Sequence, residues 1–159
     1  MSTRSTTHFI NSSHEYGGPV IVYRHSDGYP SGAGADIQEF FKAVEAQTTD
    51  TRFNEASYLA AKYVVYLAGS FAEMAATDWT TGKIGTVKPL NFLSVGVMDA
   101  DPMDIEYRYT VDTGKMDSNG LPTVTVQECF WGEKPDGEHV PLAIAISIDQ
   151  QAFETTATE

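Results

Sequence analysis

The chain has 159 residues, 42% of them apolar, which suits one globular domain large enough to bury a core without a disulfide or metal staple. Asp and Glu outnumber Lys and Arg 22 to 10, for a formal charge of −12, the opposite of the basic footprint of a nucleic-acid binder. One cysteine, Cys129, excludes an internal disulfide and a multi-cysteine zinc site, and no apolar run reaches the roughly 18 residues of a membrane span.

Residues 1–17 are rich in Ser and Thr without a sustained period, so they are expected to form a mobile arm anchored by Phe9 and Ile10. They hold no continuous apolar stretch of the kind a secretory signal needs. Pro19 to Tyr23, P-V-I-V-Y, predicts a short buried strand. His25 to Gly34 is dense in turn residues and reads as a loop. Asp36 then stands where an N-cap belongs, and Ile37, Phe40, Phe41 and Val44 follow at helical spacing, predicting a helix over 36–47. A second helix is expected over 55–76 with Asn54 as its cap. Tyr58, Leu59, Tyr63, Val65, Tyr66, Leu67 and Phe71 put apolar mass around most of its circumference, the pattern of a central helix covered on several sides. Tyr63 and Leu67 are expected among its deepest residues. Residues 77–89 carry two glycine turns, Thr81-Gly82 and Ile84-Gly85.

The C-terminal half reads as β. Asn91 to Met98 predicts one strand. Asp104 to Asp112 alternates cleanly, Ile105, Tyr107, Tyr109 and Val111 on one face and Glu106, Arg108 and Thr110 on the other. Asp112 to Gly120 is a long turn region ending in the favoured pair Asn119-Gly120. Thr123 to Trp131 returns as the partner strand, and Glu133 to His139 turns again. Leu142 to Ile148, L-A-I-A-I-S-I, is taken as a strand because large and small residues alternate, although its alanines also permit a helix. Residues 154–159 are expected to fray. The order β-α-α-β-β-β(-β) implies an α+β domain over 18–153, an antiparallel sheet of four to five strands covered on one face by two helices.

Two regions carry candidate chemistry. In the loop, a strand feeds a glycine-rich turn that opens a helix, an arrangement able to aim backbone N–H groups at an anion. His25, Asp27, Tyr29, Gly32 and Gly34 are its candidate ligand-binding residues; the competing reading, and the favoured one, is that Asp27-Gly28 and Pro30-Ser31-Gly32 simply turn the chain. The second region is acidic: Asp99, Asp101, Asp104, Glu106, Asp112 and Asp117 surround one strand and its turns as a candidate surface for a basic partner. Asp99-Ala100-Asp101 begins a calcium-loop spacing that Pro102 breaks. His8, His14, His25 and His139 lack metal-ligand spacing, and no G-x-S-x-G elbow accompanies Ser26 or Ser31. No catalytic residue, cofactor or metal is therefore expected.

The stretch from Tyr23 to Gly34 resembles the DGYP-x-G-x-G signature of a family of small, functionally uncharacterised bacteriophage and prophage proteins. Asp104 to Tyr109 is similar to the DIEY-x-Y strand of the same family, and Phe53, Ala56 and Tyr58 to Ala61 to its middle helix. The resemblance implies a phage or prophage origin and carries no catalytic residues. Together these features lead to the expectation of an accessory protein in the host cytoplasm that binds a host macromolecule, such as a defence or regulatory protein, without catalysis. Direct nucleic-acid or membrane binding is not expected. A nucleotide- or anion-binding or hydrolysing protein using residues 25–36 is the alternative, and a virion structural component a further one.

Overall fold

The computed structural model describes residues 2–14, 18–75, 94–129 and 138–156. Among these residues the chain forms β1 (Ser5–Ile10), β2 (Val20–Arg24), α1 (Ala35–Gln47), α2 (Ala56–Ala75), β3 (Val95–Met98), β4 (Tyr107–Met116), β5 (Pro122–Glu128), β6 (Val140–Pro141) and α3 (Leu142–Thr156). A five-residue π-helical turn, Pro30–Gly34, runs directly into α1. The fold is α+β, built on a six-stranded sheet of order β3-β2-β1-β4-β5-β6. The expected all-antiparallel sheet is corrected to a mixed one, because β1 lies parallel to β4 and antiparallel to β2.

The largest correction concerns the N-terminus. Residues 5–10 are not part of a mobile arm; they form an interior strand of the sheet, with Ser5, Thr6, Thr7 and Phe9 almost wholly buried. Threonine suits a pleated surface well, but three consecutive hydroxyl side chains erase the hydropathy alternation that would reveal a strand. The second correction is at residues 142–148, where the expected strand is the first half of α3. Leu142 and Ile146 are buried four residues apart while Ile144 and Ile148 are exposed, so the large-small alternation sits on a helical period. The helices therefore number three among the described residues. Smaller shifts follow: β4 continues to Met116, so its turn starts only at Asp117, and the helical segment after the loop begins before Asp36, which lies in the first turn of α1. The turns expected over 77–89, the start of the 91–98 strand, Phe130, Trp131 and most of the 133–139 turn lie outside the described residues.

All three helices cover one face of the sheet. Phe9, Val22, Tyr109, Val111 and Val126 from the strands meet Ile37, Phe40 and Val44 of α1, Leu59, Tyr63 and Leu67 of α2, and Leu142 and Ile146 of α3 in one apolar cluster. Tyr63 and Leu67 are fully buried. The Phe40 ring lies 5.1 Å from Tyr63 and 5.5 Å from Tyr66, and Phe9 lies 5.5 Å from Tyr63; each such tilted pair adds about 0.5–1.5 kcal/mol beyond its burial. Burial pushes the phenols of Tyr63 and Tyr109 well above the ordinary tyrosine range, so both stay protonated.

Strand alternation sends the intervening residues to the opposite face. There Thr6 pairs in register with Tyr23 of β2 and Arg108 of β4, with His8 two residues further along β1. Ile21, Ile105 and Cys129 are buried but lie outside the helix-side cluster.

Candidate functional site

The glycine-rich loop is closed by its own main chain. Asp27 adopts a left-handed φ of 54°, a conformation Asp tolerates better than most residues, and its carbonyl accepts from Ala33 N–H at 2.8 Å. Gly32 N–H donates to Tyr29 O at 2.9 Å, and Gly28 N–H donates to Thr3 O at 2.9 Å. Tyr109, buried in the core, donates its hydroxyl to the Gly28 carbonyl at 2.8 Å. The glycines answer to crowding. A Cβ on Gly28 would stand 2.8 Å from Ser5 Cβ and 2.9 Å from Thr3 O, and one on Gly32 would run into the Asp27 carbonyl oxygen. Ahead of the loop, Arg24 is buried at the end of β2; its Nε donates to Ser26 O at 2.6 Å and its guanidinium pairs with Asp36 on α1. The place where an anion would meet the helix entrance is taken by the chain itself, since Ser31 N–H donates to the Asp149 carboxylate of α3 at 3.2 Å.

Of the five loop residues singled out, Asp27 and Tyr29 come together, the phenol donating to the carboxylate at 3.2 Å. Burial and the neighbouring Asp27 raise the Tyr29 phenol above its ordinary value. His25 turns instead to Tyr23, its Nδ1 sharing a 2.9 Å hydrogen bond with the Tyr23 hydroxyl. Gly34 packs against α3, where a Cβ would meet Leu142 Cδ1 at 2.7 Å.

The acidic residues are divided among separate tasks. Asp117 organises the β4–β5 turn by accepting from Asn119 N–H at 2.8 Å and Leu121 N–H at 3.0 Å. Asp112 accepts from Ser12 and Gly114 N–H, each at 3.0 Å; burial opposes its ionisation, yet these bonds and Lys115 lower its carboxyl below the ordinary range. Glu106 contributes through its backbone, which bridges Arg4 and Cys129. Asp99 is exposed. Asp101 and Asp104 lie across the face of the sheet opposite the helices. Asp104 pairs with Arg4. Asp101 accepts from Thr6 Oγ1 at 2.6 Å and His8 Nε2 at 2.7 Å, and pairs with Arg108. Burial alone would raise the Asp101 carboxyl, but the two hydrogen bonds and the charges of His8 and Arg108 hold it at about 2. No group of three or more metal-ligating side chains forms among the described residues. Thr6, His8, Arg4 and Arg108 escaped the sequence reading because recognising them requires seeing β1 beside β4.

A third feature lies on the helix side. Between α1 and α2 runs a groove of about 690 Å³ lined chiefly by Phe40, Val44, Val65, Tyr66 and Gly69. Val65 is 72% exposed and Tyr58, two turns earlier on the same side of α2, 51%. The outward side of α2 was expected to be covered; instead it presents apolar side chains to solvent. Glu39 and Glu45 on α1 and Asp50 and Glu55 in the α1–α2 connection supply carboxylates, Glu39 pairing with Lys42 and Asp50 and Glu55 with Arg52, and Lys62 is tied to the carbonyls of Asp50 and Thr51 at 3.2 and 2.9 Å. No helix among the described residues is long and apolar enough to cross a membrane. No protein-family model, curated protein or solved structure matches the chain.

Proposed function

We propose that this chain is a phage- or prophage-encoded accessory protein that acts by binding a host protein, a defence or regulatory factor, through the groove between α1 and α2. The observation that carries the reading is the pairing of an apolar groove with a strongly acidic chain: Val65 at 72% exposure beside a 690 Å³ trough, on a protein of net charge −12. A partner of matching chemistry is an amphipathic helix whose apolar face enters the trough and whose lysines and arginines meet the carboxylates along α1 and the α1–α2 connection. The origin rests on the DGYP-x-G-x-G and DIEY-x-Y resemblance.

The test is a host-lysate capture run in parallel with wild-type protein, Val65→Asp and Ile148→Asp. Val65 and Ile148 are both exposed, so both variants are expected to keep the wild-type melting temperature. A partner held by wild type and Ile148→Asp but lost by Val65→Asp is the expected result. Equal capture by all three, or no specific partner, overturns the reading.

A further inference from the structure

Residues 99–104 form a strap across the face of the sheet opposite the helices. It is joined to the sheet by Asp101, which bonds Thr6 and His8 and pairs with Arg108, and by Asp104, which pairs with Arg4. Between them Met103 is 83% exposed, and only Ile105, just beyond, is buried. Beneath the strap the sheet offers a concentrated set of donors. Thr6 is fully buried, His8 and Arg108 flank it, and Arg4 lies two residues before it on the same side of the chain. Both guanidinium groups are only partly used: the Nε atoms of Arg4 and Arg108 are buried and make no hydrogen bond among the described residues. Buried donors left unpaired are uncommon and invite an explanation.

We propose that Arg4, Thr6, His8 and Arg108 form a binding site for a small phosphate or diphosphate compound, and that Asp101 and Asp104 occupy it as the chain's own stand-in for the ligand. The donor set favours phosphoryl chemistry. A hydroxyl, an imidazole N–H and a guanidinium already converge on one carboxylate, and a tetrahedral phosphoryl group presents one more oxygen than a carboxylate to the same donors. Arg4, held by the second strap carboxylate, supplies a place for a second negative charge. The net charge of −12 does not forbid this, because beyond about 8 Å other charges are largely screened at physiological ionic strength. The strap sets the threshold for binding: apparent affinity falls in proportion to the fraction of molecules in which it is open.

The probe is inorganic pyrophosphate. The double variant Asp101→Asn/Asp104→Asn keeps hydrogen-bonding shape but removes the competing charges, and calorimetry should show it binding pyrophosphate at least about tenfold more tightly than wild type. Adding Arg108→Gln or Arg4→Gln should abolish that gain. A folded double variant with no gain, or a gain that survives both arginine substitutions, overturns the proposal. Wild-type protein gives an independent reading should the double variant not fold. Pyrophosphate should accelerate amide hydrogen exchange in residues 99–104 while leaving the helices unchanged. No acceleration, or equal acceleration by sodium chloride at matched ionic strength, also overturns it.

Discussion

Two segments that leave neighbouring strands are held in opposite ways. The loop after β2 is fastened chiefly by main-chain bonds from Gly28, Gly32 and Ala33 and by Tyr109 reaching Gly28 O, with charged groups only at its ends, where Arg24 pairs with Asp36 and Asp149 accepts from Ser31 N–H. The strap after β3 is fastened by two carboxylates on arginines, a threonine and a histidine. Main-chain closure fixes shape and makes it depend on local sterics, whereas closure by charge makes the strap depend on protonation, salt and competing anions. A glycine-rich sequence thus marks the rigid segment here, and an acidic sequence the releasable one.

Four substitutions sharpen that contrast. The largest effect is expected from Gly32→Ala, because a Cβ there collides with the Asp27 carbonyl that also accepts from Ala33. Urea unfolding should show a loss of about 3 kcal/mol, at the upper end for a forced contact, and the loss should be the same in mildly acidic as in neutral solution. A pH-dependent loss would mean that the steric fit at Gly32 is coupled to the charged contacts at the ends of the loop.

Asp101→Ala comes next, at about 2 kcal/mol near neutral pH. The carboxyl is held at about 2 in the folded chain against an ordinary 3.8. Its stabilisation is therefore fully present above the unfolded value and is lost as pH falls through the folded one. The gap between wild type and Asp101→Ala should close across that window on acidification, followed by chemical denaturation at each pH. A constant gap would show that packing, not charge, holds the strap. Asp149→Ala removes one bond, from Ser31 N–H, and should cost about 1 kcal/mol; hydrogen exchange at Ser31 reports it directly. The smallest effect is expected from Asp104→Asn. The Arg4–Asp104 pair is about a third exposed, so its loss should stay below about 1 kcal/mol and shrink further in high salt.

How much could be read from the sequence depended on how far each signal reached along the chain. The helices α1 and α2 announce themselves through Ile37, Phe40, Val44, Tyr63 and Leu67, whose spacing is local. The pairing of Tyr109 with Val126 follows from alternation on two strands joined by a short turn. β1 does not, because Ser5, Thr6 and Thr7 are buried, and His8 half-buried, between partners on β2 and β4, and the register with β4 is set by contacts far away in sequence. The same blind spot hid the strap's role. Asp101 and Asp104 were visible as acids, but Arg4, Thr6 and His8 appeared to belong to an arm. α3 was missed for a different reason, since Leu-Ala-Ile-Ala-Ile satisfies a period of two as well as burial at Leu142 and Ile146. The glycine-rich composition marks the break between β2 and α1, but neither the π-helical winding of Pro30–Gly34 nor Asp149 at its entrance is written in the local sequence.

The parallel pairing of β1 with β4 also sets a timetable for synthesis. β1 leaves the ribosome about a hundred residues ahead of its neighbour Tyr107–Met116, on the order of 5–20 s at ordinary elongation rates. Until then β1 can pair with β2 alone, leaving one edge of a nascent hairpin open. Its threonines leave that waiting edge less sticky than a run of valines would, so the polarity that conceals the strand from a reader also protects it while its partner is being made.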